Sequence, residues 1–135
     1  MDVYSVMTAA GQRAPVFQID VAYAGPRAIA KILSTVGGVS EIATRRFIVS
    51  PRDIHIRFLF RGVPFVVLEP WGDNSRYWIG PADIADETLA LPREVVADEI
   101  VDLETAFRAY QPSAIRQFIG DILTLKFLKS HHQRG

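Results

Sequence analysis

The sequence contains no cysteine among its 135 residues. Disulfides, zinc sites built on thiolates and cysteine nucleophiles are therefore excluded. The chain also has no net charge at pH 7, because 15 basic residues balance 15 acidic ones. A neutral chain lacks the global positive field that drives non-specific binding to nucleic acid, so we expect no nucleic-acid partner.

A long hydrophobic run is also missing. The first residues show no positively charged start followed by an apolar stretch, so no signal peptide is predicted. The most apolar late segment, residues 115–128, contains Arg116, Asp121 and Lys126. It is shorter than the roughly 20 apolar residues that a membrane span needs. We therefore expect a cytoplasmic protein with no membrane partner.

The motifs of familiar enzymes do not occur either. The sequence has no Gly-x-Ser-x-Gly, and no glycine-rich loop followed by Gly-Lys-Ser/Thr. Of its three histidines, His131 and His132 fall in a terminal segment that we expect to fray, and His55 is predicted to lie on the polar face of a strand. The sequence thus favours a protein that is not an enzyme and has no catalytic residue, metal ion or cofactor.

The hydrophobic pattern predicts a single α+β domain over residues 1–135. Alternating apolar residues indicate strands at 16–23 and 54–60, and further strands are predicted at 43–49, 63–68 and 76–79. Apolar residues at helical spacing indicate helices at 26–36, 93–110 and 115–128. Residues 1–14 are expected to be disordered or to add an edge strand, and residues 130–135 to fray. The β-α-β-β-β-β-α-α order predicts an antiparallel sheet of about four to five strands, packed on helices in two layers.

Three details of the central strands bear on function. The strand at 63–68 is apolar on both faces, so it is expected to lie inside the sheet. Tyr77 and Trp78 are adjacent in a strand and are expected to point to opposite faces. The strand at 54–60 is predicted to place His55 and Arg57 on one face. Its four apolar residues are predicted to share the other face: Ile54, Ile56, Phe58 and Phe60.

Charge is distributed unevenly along the chain. Residues 44–61 carry five arginines against one aspartate, a net charge of +4, and residues 83–104 carry eight acidic residues against one arginine, a net charge of −7. The two regions either pair with each other and with water, or one of them meets a partner. An acidic helix face would complement a basic partner and speed its association. The arginine face is a poor platform for single-stranded nucleic acid, because Phe58 and Phe60 are predicted to lie on the other face.

An aromatic turn lies between two predicted strands, at residues 69–79. It places Trp71, Arg76 and Trp78 close together, and these residue types dominate the hot spots of protein interfaces. The alternative is that Tyr77 or Trp78 fills the core while Trp71 fixes the loop. Asp73 is typical of a turn and needs no catalytic role.

The same residues resemble a known group of proteins. The run Phe60-Arg-Gly-Val-Pro-Phe65, then Gly72-Asp73 and Tyr77-Trp78-Ile79-Gly80-Pro81, resembles the strand–turn–strand pattern of small bacterial immunity proteins. The resemblance covers about a fifth of the chain. It implies a non-enzymatic inhibitor, with no catalytic residue, that occludes the active site of a toxin, often a nuclease.

Two main hypotheses follow, and they leave the choice between monomer and homodimer open. The first is an immunity-type inhibitor whose partner is a toxin domain with a basic cleft. Its expected contact residues are Trp71, Asp73, Arg76, Trp78, Asp86, Glu87, Glu94, Asp98, Glu99 and Asp102. The second is a small-molecule-binding or enzymatic domain with a pocket between sheet and helices, lined by Tyr23, His55, Glu69 and Arg76. A third possibility is a structural subunit that dimerises through an edge strand.

Overall fold

The computed structural model describes residues 1–44, 54–69, 75–111 and 122. Within this part of the chain, six strands form one antiparallel sheet in the order β1-β2-β6-β5-β4-β3. The strands are β1 (Tyr4–Met7), β2 (Arg13–Asp20), β3 (Val39–Thr44), β4 (Ile54–Phe60), β5 (Val63–Leu68) and β6 (Arg76–Pro81). The predicted α+β class is confirmed. Of the two expectations for residues 1–14, the edge strand is the one that forms.

Two helices cover one face of the sheet. Helix α1 (Pro26–Ser34) begins with a proline, whose missing N–H costs nothing in the first turn, and it packs against β3 and β4. Helix α2 (Val101–Ala109) packs against α1 and continues a 3-10 helix, Ala97–Ile100, that contacts β2. We call this side of the sheet the helix-covered face. The other side, the opposite face, carries a shorter 3-10 helix, Ala82–Ile84, which contacts β5.

The core lies between the helices and the helix-covered face. Phe17 of β2 and Phe107 of α2 are fully buried, and their rings meet edge to face at 5.4 Å. Ile29 and Leu33 of α1 are also fully buried. Each such side chain stabilises the fold by about 1.5–3 kcal/mol relative to an exposed one.

The interior position predicted for residues 63–68 is confirmed. Strand β5 lies between β4 and β6, and every residue in it except Pro64 is buried. Val67 packs in the main core, whereas Val66 and Leu68 pack in a second cluster on the opposite face. This strand is therefore apolar on both sides because both of its sides are covered.

The strand predicted at 16–23 is displaced towards the N-terminus. Strand β2 ends at Asp20, and Val21–Tyr23 form a turn of 3-10 helix. The Val21 amide still donates to the Ser75 carbonyl at 3.2 Å, but Ala24 then donates back to Val21 at 3.4 Å and turns the chain towards α1. The strand predicted at 43–49 begins earlier, at Val39, and residues 45–49 lie outside the described residues.

The helix predicted at residues 93–110 begins later in the structure than the sequence pattern indicated. Val96 has extended backbone angles (φ −104°, ψ 159°), so helical geometry begins only at the 3-10 helix Ala97–Ile100. The predicted apolar face of this helix included Val96. In the structure Val96 is 52% exposed, and its neighbour Val95 is buried instead. Tyr110 returns to extended geometry and ends α2. The predicted helix 115–128 and tail 130–135 fall outside the described residues, apart from residue 122.

A β-bulge in β4 changes which residues share a face. The pairing of β4 with β5 shifts register between Ile54 and Ile56. Ile56 therefore packs in the main core, while Ile54 packs with Val66 and Leu68 on the opposite face. The prediction that Ile54 shares a face with the other three apolar residues of this strand is wrong, because a bulge breaks strict alternation.

Candidate functional site

The acidic residues at 83–104, hereafter the acidic segment, lie on a loop and on the helical turns at its two ends. Between the 3-10 helices Ala82–Ile84 and Ala97–Ile100 the segment forms no strand or α-helix, and its last residues, 101–104, begin α2. Val95 is buried in the main core and Leu91 packs against it, which holds the segment on the body of the protein. The expected acidic helix face is therefore wrong for residues 93–96, which belong to this loop, since helical geometry begins only at Ala97.

Three carboxylates of the acidic segment are neutralised within the chain. Glu104 is fully buried, with Oε1 2.6 Å from Nη2 of Arg13 on β2. Asp102 is exposed and accepts a 2.9 Å hydrogen bond from Arg61, in the turn between β4 and β5. Glu99 lies 2.6 Å from Arg93. Among the residues that the structure describes, the interpretation that the basic and acidic regions pair with each other holds for one ion pair, Arg61 with Asp102.

Glu99 also has a structural role that the charge pattern did not reveal. Its Oε2 accepts a 2.9 Å hydrogen bond from the backbone N–H of Val96, which satisfies a donor at the start of the 3-10 helix. That bond, and then Arg93, lower the pKa of Glu99 below its ordinary value. A capping box has two reciprocal hydrogen bonds. Here only the bond from the Val96 N–H to the Glu99 carboxylate can form, because the side chain of valine cannot accept a hydrogen bond from the Glu99 N–H.

Of the five remaining acidic side chains, Asp83 is half-buried and the other four face solvent. Glu87, Glu94 and Asp98 are exposed, and none of them forms an ion pair with a residue that the structure describes. Asp86 is exposed as well, and its Oδ1 accepts hydrogen bonds from the Thr88 backbone and hydroxyl at 3.0 and 2.6 Å. Glu87, Glu94 and Asp98 therefore carry negative charge at the surface that no described residue compensates by an ion pair.

The two aromatic residues of β6 point to opposite faces, as predicted. Tyr77 is buried in the main core, and Trp78 packs beside the second apolar cluster on the opposite face. Arg76 lies two residues before Trp78 and so shares its face. Trp71 and Asp73, the other expected contact residues of this turn, fall outside the described residues.

Arg76 is held by three partners from the neighbouring strands. Its Nη1 donates to Oε1 of Gln18 at 3.1 Å, and its Nε lies 3.5 Å from Asp20. The centre of its guanidinium lies 3.7 Å from the centre of the Tyr4 ring, a cation–π contact. The Tyr4 hydroxyl donates to Asp20 at 2.9 Å. Burial of the hydroxyl, and then this hydrogen bond, raise the pKa of Tyr4 to about 12.

Sequence reasoning missed Tyr4 because residues 1–14 show no periodicity. A possible signal was the Tyr-x-Val pattern of an edge strand, but only the pairing of β1 with β2 places Tyr4 opposite Gln18. The pairing of β2 with β6 then places Gln18 opposite Trp78 and Asp20 opposite Arg76. Two neighbouring strands, β1 and β2, and the distant strand β6 thus assemble one polar and aromatic surface.

Arg76 and its partners Tyr4, Gln18 and Asp20, hereafter the Arg76 cluster, lie towards one end of the sheet. The acidic segment lies towards the other end. Strand β6 begins at Arg76 and ends at Pro81, next to the 3-10 helix that leads into the acidic segment. At about 3.3 Å per residue, that strand is roughly 17 Å long. The structure therefore does not bring Arg76 and Trp78 beside the acidic residues with which they were grouped.

His55 lies in the β-bulge and faces the interior. Its ring is 5.3 Å from that of Tyr77 and nearly perpendicular to it. Its Nε2 is 2.7 Å from Oε1 of Glu69, and the two side chains are only 19% and 8% exposed. The approach lies off the N–H direction, so it is a short electrostatic contact rather than an aligned hydrogen bond. The prediction of a surface histidine beside Arg57 is wrong, because the bulge turns His55 towards the helix-covered face.

The predicted small-molecule pocket is only partly assembled. His55 and Glu69 come together, but Arg76 lies on the other side of the sheet, bound to Gln18 and Asp20. Tyr23 lies in the 3-10 helix after β2 rather than in a strand. On the opposite face there is a shallow depression of about 180 Å³, lined by Glu41, Arg57, Phe58, Leu59, Pro64, Phe65, Val66 and Ala82.

Neither a metal site nor a membrane-spanning helix is found in the described ranges. No three histidine or acidic side chains there come close enough together to hold a metal ion. None of the helices in those ranges is both long and apolar enough to cross a membrane. No family model matches the chain, and neither a curated protein nor a solved structure matches it.

Proposed function

We propose that this chain is a non-enzymatic, cytoplasmic inhibitor of the immunity type, which binds a bacterial toxin and occludes its active site. The observation that carries the proposal is the uncompensated charge of Glu87, Glu94 and Asp98, exposed on a segment that the core holds in place. Asp86, Glu99 and Asp102 extend the same acidic surface.

The mode of attachment of the acidic segment supports this proposal. The loop is anchored through Val95, and through Ile100 at the end of the following 3-10 helix, both of which are buried. A charged surface that is fixed before binding loses less conformational freedom when a partner arrives. Its negative charge would attract a basic cleft, such as that of a nuclease, and increase the rate of encounter.

Arg76 and Trp78 remain candidates for a second contact region with the same partner. They lie roughly 17 Å from the start of the acidic segment along β6. An interface of standard size buries about 800 Å² on each partner, a patch roughly 30 Å across. One partner could therefore reach both regions. Contacts with Trp78 and Arg76 would raise the affinity, and the acidic segment would raise the association rate.

Co-expression tests this proposal in cells. The product of the gene next to the one that encodes this chain is expressed alone and together with the chain. We expect it to stop growth alone and to be neutralised by the chain. The triple variant Glu87→Lys/Glu94→Lys/Asp98→Lys should lose neutralisation. A neighbouring gene product without toxicity, or full neutralisation by the triple variant, would contradict the proposal.

A charge-matched pair of single variants provides the control. Asp98→Lys and Glu41→Lys each change the net charge by the same amount, and both residues are exposed. Glu41 lies on edge strand β3, outside the acidic segment. Asp98→Lys should weaken neutralisation and Glu41→Lys should not. Equal effects of the two variants would indicate a response to net charge rather than to a defined surface.

The contact between His55 and Glu69 favours one second candidate, a small-molecule-binding or enzymatic domain. A buried carboxylate that orients an imidazole is a common arrangement for a general base. Its test is a Glu69→Gln variant in the co-expression assay. Because the Glu69 side chain lies with His55 on the helix-covered face, whereas Arg76 and Trp78 lie on the opposite face, neutralisation should be unchanged under the first proposal. Loss of neutralisation with an intact fold would favour the second.

A further inference from the structure

The guanidinium of Arg76 is positioned more precisely than a solvent-facing arginine usually is. The Tyr4 ring covers one of its planes at 3.7 Å, Gln18 holds Nη1 at 3.1 Å, and Asp20 lies 3.5 Å from Nε. The side chain is still 38% exposed. Most of the entropy cost of fixing a long arginine side chain is therefore already met in the free protein.

The contacts of Arg76 leave part of its donor capacity unused. A guanidinium has five N–H donors in a planar fork, and the described residues engage only Nε and Nη1. Both N–H groups of Nη2 have no acceptor within that part of the chain. Donors in a rigid planar fork match the two oxygens of a carboxylate.

We propose that Arg76, held by Tyr4 and Gln18, is a binding site for an organic carboxylate whose apolar body lies against Trp78. The carboxylate accepts hydrogen bonds from the outer edge of the guanidinium. Trp78 is two residues along the same face of β6, about 7 Å away, which is the distance that a benzoate-sized group spans. The ligand can be a free acid or a carboxylate side chain of a protein.

Local charge and local surface both favour a carboxylate over a phosphate. Asp20 lies beside Arg76 and offsets its positive charge, so a doubly charged anion would gain little here. The aromatic surfaces of Tyr4 and Trp78 offer apolar contact, which inorganic phosphate cannot use.

A purely structural role explains only part of the cluster. The hydrogen bond from Tyr4 to Asp20 already links β1 to β2, and backbone pairing links β2 to β6. Arg76 adds little to those links, because it remains more than a third exposed and an exposed ion pair contributes at most about 1 kcal/mol. The arrangement fixes the direction of Arg76 more than it stabilises the sheet.

Titration with benzoate, followed by nuclear magnetic resonance, tests the proposal without any protein partner. The Arg76 Nε–H signal and the Trp78 indole signal should shift together and saturate at on the order of millimolar benzoate. Acetate, which lacks an apolar body, should bind about tenfold more weakly. Inorganic phosphate should produce no saturating shift. Saturation by phosphate at the same concentration as benzoate would overturn the proposal.

Arg57 provides an internal control on the same sheet. It is exposed on β4, and no described residue forms an ion pair with it, so any general attraction of anions to arginine would also shift its Nε–H signal. The proposal predicts saturation at Arg76 and only a small linear change at Arg57. Equal responses at the two arginines would contradict it.

Two variants separate binding from folding. Arg76→Lys retains the charge but loses the planar fork, so benzoate binding should weaken about tenfold. Should that variant fail to fold, Gln18→Ala frees Nη1 without touching the guanidinium and should weaken binding about threefold. Unchanged benzoate affinity in a folded variant would overturn the proposal. Because no toxin is present, failure of this experiment leaves the immunity proposal unaffected.

Discussion

The buried ion pair between Arg13 and Glu104 yields a quantitative prediction of stability. Glu104 is 1% exposed, and its Oε1 lies 2.6 Å from Arg13 Nη2. Its other oxygen has only Arg108, at 3.6 Å. In Arg13→Met the apolar stem of the side chain remains and the guanidinium is lost. A carboxylate then stays in the core without its main partner.

The size of the effect follows from the burial of the two side chains. Removing one member of a fully buried pair costs about 3–5 kcal/mol. Arg13 is itself 41% exposed, so water can approach, and Arg108 remains near the carboxylate. We therefore expect a loss of about 2 kcal/mol, which moves the urea midpoint by roughly 1–1.5 M for a domain of this size.

Urea unfolding followed by tryptophan fluorescence measures this loss, and a matched variant controls it. Arg108→Met removes an arginine that is 52% exposed and more distant, so it should cost less than about 0.5 kcal/mol. In Arg13→Met/Glu104→Gln no charge is left unpaired in the core, so part of the loss should return. Equal effects of Arg13→Met and Arg108→Met would refute the reasoning, since Glu104 would then have to be solvated.

Two further predictions concern β1 and a tight turn. The neutral Tyr4 hydroxyl is favoured in the folded protein, so its contribution to stability is complete below the ordinary pKa of 10.0 and is lost as the pH rises towards 12. After discounting for solvent screening, this loss is about 1 kcal/mol, and Tyr4→Phe should remove that part of the pH dependence in urea unfolding. Gly38 has φ +89°, and an added Cβ would lie 3.1 Å from Arg61 Cγ, whereas Gly11 has φ +79° and open space. Gly38→Ala should therefore lower the free energy of unfolding by about 2 kcal/mol and Gly11→Ala by about 1 kcal/mol. Equal losses of stability in thermal unfolding would contradict the claim that the added Cβ at position 38 meets Arg61.

Strand positions were the part of the fold that could be predicted from the sequence. Alternation located β4, and a short apolar run bounded by turn residues located β5, which is covered on both faces. The bulge at His55 could not be predicted, since register depends on the partner strand and not on local pattern. The same limit applies to β1, whose short sequence shows no clear pattern of its own and whose place in the sheet comes from pairing with β2.

The candidate site was harder to predict for electrostatic reasons. Charge along the sequence identified the acidic segment, and Glu87, Glu94 and Asp98 are indeed exposed there. It gave no sign that Glu104 is buried, because burial depends on a partner, Arg13, from another strand. The Tyr4–Arg76 contact was missed for the same reason.

The association rate between the chain and its proposed toxin tests the central claim most directly. It is measured by stopped-flow fluorescence for the native chain and for Glu87→Lys/Glu94→Lys/Asp98→Lys, at low and high ionic strength. We expect the triple variant to associate on the order of tenfold more slowly at low salt, with the difference shrinking at high salt. Equal association rates at low salt would contradict the claim that the acidic segment is the surface that meets the partner.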